Sequence, residues 1–207
     1  MDVSVQVAIV GCIGTVLTAV LAYLSKRHSE RKHIAKENQY ERELKFQADA
    51  LSLKVEIKDW DLIMYEVSTL MAETSIDRFL IFCAWNGKDR PKWTTAIYQF
   101  RSADQRPVSY VHVEIDADYV DRLTEAKSAG ELYFVTEEIP QSLIKSVYRS
   151  EGVTEAVWYP LRQRKLEGSE SVALSYCSFA THTSNKITEH ERVRCRMVVN
   201  RLMGAML

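Results

Sequence analysis

Chain breakers are scarce in this sequence: 7 glycines and 4 prolines among 207 residues. That scarcity goes with the absence of any low-complexity segment or internal repeat, and no glycine-rich loop of the phosphate-binding kind is present. Charge of one sign is lacking too. Lys and Arg total 27 against 28 Asp and Glu, with no basic or acidic tail, so nothing argues for a nucleic-acid partner. The four cysteines, Cys12, Cys83, Cys177 and Cys195, have neither metal nor redox spacing. In a reducing compartment they are expected as free thiols. No Ser sits in a nucleophile-elbow pattern, and Ser175 and Ser178 lack the flanking glycines it needs.

Charge is also missing from residues 3–24, "VSVQVAIVGCIGTVLTAVLAYL". This run is close to the roughly 20 apolar residues that cross a bilayer. "IVGC" within it is similar to a lipoprotein cleavage box at Cys12. Two features favour an uncleaved anchor: no Lys or Arg precedes the apolar run, and the run continues past Cys12 to Leu24. The flank "SKRHSERKHIAK" carries Lys26, Arg27, Arg31, Lys32 and Lys36 against Glu30. The positive-inside rule puts this flank and all that follows in the cytoplasm, with the N-terminus outside an inner (cell) membrane crossed once. Ala8, Gly11, Thr15, Ala19 and Ala22 recur at steps of three and four, a strip on which two such helices can approach.

Residues 26–54 hold neither Gly nor Pro and are rich in Glu, Lys, Arg, Leu and Ala, which predicts a helical stalk. Leu44, Ala48, Leu51, Val55 and Leu62 follow an imperfect heptad, a seam on which the stalk can pair as a short coiled coil. A domain is expected over 55–207. It opens with a helix carrying Ile57, Leu62, Ile63, Val67, Leu70 and Met71 on a wide apolar face.

"RFLIFCAW" (78–85) is apolar after Arg78 and predicts a strand buried on both faces. Asn86-Gly87 marks a turn into "WTTAIYQFR" (93–101), and "VSYVHVEI" (108–115) reads as a third strand. Residues 116–130 predict a helix capped by Asp116 or Asp118 and ended by Gly130. A short strand (131–137) follows, then a helix with Pro140 in its first turn and Gly152 beyond its end. Strands are expected over 153–161 and 171–181. The closing helix has Thr188 and Glu191 at capping-box spacing and an apolar stripe of Val193, Met197, Val198, Leu202 and Met206. This order predicts an α+β domain, a mostly antiparallel sheet with helices on one face.

Three stretches resemble the GAF family of small-molecule sensor domains, relatives of PAS domains. A helix runs straight into a hydrophobic strand in "MAETSIDRFLIFCAW". "EGVTEAVWYPL" is similar to a Gly-led strand ending in Pro-Leu, matched by Gly152, Pro160 and Leu161. "VALSYCSF" and the helix opened by Ile187, Thr188 and Glu189 are similar to the family's last strand and closing helix. The resemblance covers roughly residues 55–207. It implies a GAF-like fold, a sensing or signalling role without catalysis, and a ligand cleft on the sheet face away from the terminal helices. It implies no particular cofactor or ligand. The dispersed Asn-Lys-Phe-Asp-Glu set of cyclic-nucleotide binders is absent, no Cys stands beside a His, and the domain's cysteines fall inside expected strands and a helix.

Aromatic residues on the expected strands and helices are the candidate ligand contacts: Trp85, Trp93, Tyr98, Tyr148, Trp158 and Tyr176. Core packing accounts for the same residues without a ligand. His182, Glu189, His190 and Glu191 cluster in sequence but read as a capped helix start rather than a metal site. No output domain is expected after Leu207, so a signal would leave through a protein partner. The alternative is a structural or interaction protein of a membrane complex, with no small-molecule ligand. Copies tethered in one membrane pair in parallel, and tethering raises the effective concentration of each successive weak contact. Replacing Leu51 and Val55 by Asp should therefore lower disulfide cross-linking between cysteines introduced into the stalk, measured in membranes. Cross-linking that is absent in the parent chain, or indifferent to the two changes, would mean that the stalk does not pair.

Overall fold

The computed structural model describes residues 57–85, 90–103, 105–165 and 172–206. The expected anchor (1–25), the stalk (26–54) and the Asn86-Gly87 turn lie outside these residues. Among the described residues no helix is long and apolar enough to cross a membrane.

The domain opens with helix α1 (Trp60–Glu73), then strands β1 (Arg78–Trp85), β2 (Trp93–Arg101) and β3 (Val113–Glu114). Helix α2 (Ala117–Ala129), strand β4 (Leu132–Val135), a 3-10 turn (Thr136–Glu138) and helix α3 (Leu143–Glu151) follow. Strands β5 (Glu155–Lys165) and β6 (Val172–Thr181) and helix α4 (Glu189–Ala205) complete it. All strands join one curled sheet in the order β3-β2-β1-β6-β5-β4, and every pairing is antiparallel.

The sheet is covered on both faces, which corrects the expectation of helices on one face. Side chains alternate along a strand. Phe79 and Ile81 of β1, Val157 and Tyr159 of β5, and Cys177 and Phe179 of β6 meet α1 and α4 in one core. Leu80, Phe82 and Ala84, Ala156 and Trp158, and Tyr176 and Ala180 meet α2 and α3 in a second core. The reason was already present in β1, which is buried at all eight positions. A strand with two dry faces needs a cover on each.

Local signals place the helix ends. Asp116 caps α2 by accepting the Tyr119 N–H, and Gly130 ends it with a left-handed φ of 82°. Gly152 does the same for α3 at 76°. Ser142, not Pro140, opens α3: its hydroxyl accepts the Lys145 N–H, so Pro140 stands before the helix rather than in its first turn. In α4 the buried stripe is Cys195, Val198, Val199 and Leu202, while Val193 and Met197 face outward at 41% and 64% exposure.

Two strands differ from expectation. Only Val113 and Glu114 of the expected 108–115 strand pair with β2. In the rest, the Ala96 N–H still donates to Tyr110 O at 2.8 Å, but side chains of β2 take two of the amides: Gln99 Oε1 accepts the Val108 N–H and Thr95 Oγ1 the His112 N–H. His112 itself sits at a left-handed φ of 53°, which breaks an extended run. Strand β5 continues past Pro160 to Lys165, with a register shift between Pro160 and Arg162. Proline has no N–H for the ladder, and a bulge is where a sheet tolerates it.

The start of α4 closes the domain. Thr188 and Glu191 form the expected capping box, and Glu191 also accepts the Ser75 N–H at 2.7 Å from the end of α1. Burial raises the carboxyl's pKa, but the hydrogen bonds from Ser75 and Thr188 outweigh it and hold the group below the usual carboxylate range. A depressed folded-state pKa stabilises above the unfolded value of about 4.3 and loses that stabilisation as pH falls through the folded value. The gap in urea midpoint between the parent and Glu191→Gln should thus be full at neutral pH and shrink in acid. A gap that is constant across this range would show that the ionised carboxylate does not contribute.

Candidate functional site

A cavity lies in the second core, between the sheet and helices α2 and α3. Its floor follows from strand register. Leu80 of β1 pairs with Ser178 of β6, which pairs with Trp158 of β5; Phe82 pairs with Tyr176 in the next row. Ser178 is the small member between Leu80 and Trp158, so the floor is short of volume there. Helix α3 supplies Leu143, Ile144, Val147 and Tyr148 as the roof, and α2 supplies Tyr119. Tyr110 and Val113, from the segment that runs into β3, complete the wall together with Arg78 and Thr94. The cavity volume is ≈ 40 Å³.

One end of the cavity is ionic. Arg78 opens β1 and is only 2% exposed. Its Nη1 donates to Glu151 Oε2 at 2.7 Å, across from the last residue of α3. Tyr110 donates its O–H to the other oxygen of the same carboxylate. Arg78 Nε has no hydrogen-bond partner among the described residues. Tyr148 Oη accepts the Trp158 indole N–H at 2.7 Å. Burial pushes the Tyr148 hydroxyl up to about 12.

The other end is a chain of hydroxyls. Thr94 Oγ1 lies 3.1 Å from Tyr176 Oη, which is hydrogen-bonded in turn to Tyr119 Oη. Burial raises both phenols above their ordinary range, so they remain protonated. Phe82 stacks on Tyr176 with ring centroids 5.1 Å apart and planes within 8°.

The six candidates from sequence separate by position. Tyr148 and Trp158 line the cavity, and Tyr176 stands behind its wall. Tyr98 faces the opposite core, its ring centroid 4.4 Å from that of Trp60. Trp85 ends β1 with its ring 5.5 Å from His112, and Trp93 pairs with it at the start of β2; neither lines the cavity. Arg78, Glu151, Tyr110, Tyr119 and Thr94 were missed. A charged residue opening an otherwise apolar buried strand was the available signal for Arg78.

The other candidate chemistries are taken up by structural bonds. His182 Nδ1 lies 2.7 Å from Asp77 Oδ1, and the His182 N–H donates to Asp77 Oδ2. Glu191 serves the cap. Among the described residues no group of three or more His, Cys, Asp or Glu is disposed to hold a metal.

Comparisons agree on the fold. No protein-family profile matches the sequence, and no curated protein matches it. Solved structures do. A far-red cyanobacteriochrome photoreceptor is similar at a TM-score of 0.51 and 11% identity, over 81% of this chain and 96% of that one. The phycocyanobilin-bound GAF domain of a cyanobacterial phytochrome gives 0.50 and 16%, over 70% and 82%. The GAF domain of a two-component sensor histidine kinase from Bacillus halodurans gives 0.49 and 7%, over 71% and 92%. The domain has a GAF-like fold.

Free thiols are buried and shifted away from reactivity. Burial raises Cys83 to about 11, and raises Cys177 and Cys195 well above the ordinary thiol value. A thiolate is the reactive form. Iodoacetamide on the native protein at neutral pH should leave Cys83, Cys177 and Cys195 unmodified and label all three after unfolding. Rapid native labelling of any one would reopen a nucleophilic role.

Proposed function

We propose that this chain is a sensory signalling module, with the α2/α3-side cavity as its small-molecule site and residues 3–24 as its membrane anchor. The observation that carries the reading is the cavity itself: an apolar pocket on the face away from the terminal helices, lined in part by Arg78, whose buried Nε has no hydrogen-bond partner among the described residues. A core built only for stability gains nothing from such a group. The likeness to the GAF domain of a cyanobacterial phytochrome and to a cyanobacteriochrome photoreceptor supports the fold on which a sensing site of this kind would sit.

Signal output in this reading runs through the terminal helices. Ile57 bridges to Met206, and the Lys58 N–H donates to Ala205 O at 2.9 Å, so the entry to α1 and the end of α4 are joined. The two helices also carry exposed apolar side chains: Leu62 and Tyr65 on α1, Met197 and Met203 on α4. A second copy, held parallel by the same membrane, is the occupant proposed for this surface. A further protein partner would receive the signal.

Thermal-shift screening of the full chain against nucleotides and metabolites tests the reading. A true ligand at 100 times its Kd should stabilise the fold by about 2.7 kcal/mol. No shift across a broad panel, combined with capture of one stoichiometric protein partner from membranes, would replace sensing with a structural docking role.

A further inference from the structure

Exposure locates the mouth of the cavity. Of the residues lining it, Tyr110 and Val113, and Leu143 and Val147 of α3, are half-buried, and all the others are buried. The way to solvent therefore runs between α3 and the segment that enters β3. One side of this mouth is a helix. Leu143, Val147 and Glu151 recur every four residues, so they stand in one row on α3. The other side is residues 105–112, which form no strand and place Val108 and Tyr110 against the second core. The Tyr110 hydroxyl spans the mouth by donating to Glu151 Oε1. Burial and that carboxylate keep the phenol protonated.

Both ends of that segment are turning points. At one end the Gln105 N–H donates to Ser102 O, and Arg101 Nη1 donates to Gln105 O. At the other, His112 holds a left-handed φ of 53°, a strained conformation for a residue with a side chain. Between them the Ala96 N–H donates to Tyr110 O, while the Val108 and His112 amides are tied to β2 only through the side chains of Gln99 and Thr95. Ser109 and Val111 are exposed. A stretch with few buried side chains and few ladder bonds belongs to the low-stability end of a fold. We propose that residues 105–112 are a lid on the cavity, with the Tyr110–Glu151 hydrogen bond as its latch. The structure shows the latched form. A guest enters as Tyr110 leaves Glu151 and the segment swings about Ser102–Gln105 and His112. The other oxygen of the same carboxylate holds Arg78, so the state of the latch is felt at the first residue of β1. The lid rests on the reading of the cavity as the small-molecule site.

Ser178 on the cavity floor can report the opening. Ser178→Cys places a thiol there, and native Cys177 beside it belongs to the opposite core. The full-length protein with this change is treated with methyl methanethiosulfonate at neutral pH, and modification at each cysteine is followed by peptide mass spectrometry. Labelling through a transiently open form follows the population of that form. Tyr110→Phe keeps the ring and removes the latch, a hydrogen bond to a charged group, so the introduced thiol should react about tenfold or more faster. Gln99→Ala, which frees the Val108 amide and does not touch the lining, should also speed it. Cys177 should stay unmodified throughout. An introduced thiol that reacts readily but is indifferent to Tyr110→Phe, with Cys177 silent, would overturn the lid and leave the site. A rise matched at Cys177 would mark unfolding and overturn the lid. No reaction of the introduced thiol in the parent or in either variant would overturn the lid and the site together.

Discussion

Burial of β1 on both faces is the constraint on which the rest of this domain depends. A strand with no polar position after Arg78 has no face to offer water, so the sheet must be a middle layer. Strand β6 is likewise buried over most of its length, and β5 over its first five residues. Helices α1 and α4 then cover one side and α2 and α3 the other, each with its own aromatic cluster. Phe79 and Phe179 tilt against one another in the first core, and Trp158, Tyr176 and Tyr119 in the second. The two cores are built from alternate residues of the same strands, so neither can be repacked without moving the backbone of the other.

The second core differs from the first in its polar content. The α1/α4 side is filled by Ile, Leu, Val, Cys, Met and Phe, with Tyr159 its one buried phenol among the described residues. The α2/α3 side holds a guanidinium, a carboxylate and four phenols, Tyr110, Tyr119, Tyr148 and Tyr176. Buried ion pairs are poor sources of stability, since desolvation offsets most of the attraction. Arg78–Glu151 is better understood as a position holder. It ties the first residue of β1 to the last residue of α3, and through Tyr110 it ties down the irregular segment before β3.

Much of the architecture was legible in the sequence because its signals are local. Asp116 with Gly130, Gly152, and Thr188 with Glu191 mark helix ends by chemistry that acts within four residues. Strand order and helix placement were not local. The pattern "RFLIFCAW" says that both faces are covered but not by what. The segment 108–112 alternates well enough for a strand, yet Gln99 and Thr95 claim its amides, and nothing in the segment itself records that. The candidate site divided in the same way. Tyr98 and Tyr176 are alike in sequence context, and only register sends one toward α1 and the other toward α2. Arg78 and Glu151 are 73 residues apart, so their pairing has no signature that spacing could reveal.

Position gives Arg78 a mechanical meaning as well. The residue before it, Asp77, receives two hydrogen bonds from His182 at the end of β6 and donates its own N–H to Ala180 O. Two residues earlier, Ser75 binds Glu191 at the start of α4. The end of α1, the start of β1, the end of β6 and the start of α4 are therefore joined within four consecutive residues, 75–78. Arg78, which lines the cavity, is the last of those four, and the chain passes from helix to strand just before it. A ligand shifts an equilibrium only through contacts that differ between two states. A guest in the cavity would lie beside this junction between α1 and the sheet, where the bonds of residues 75–77 couple α1 to β6 and α4.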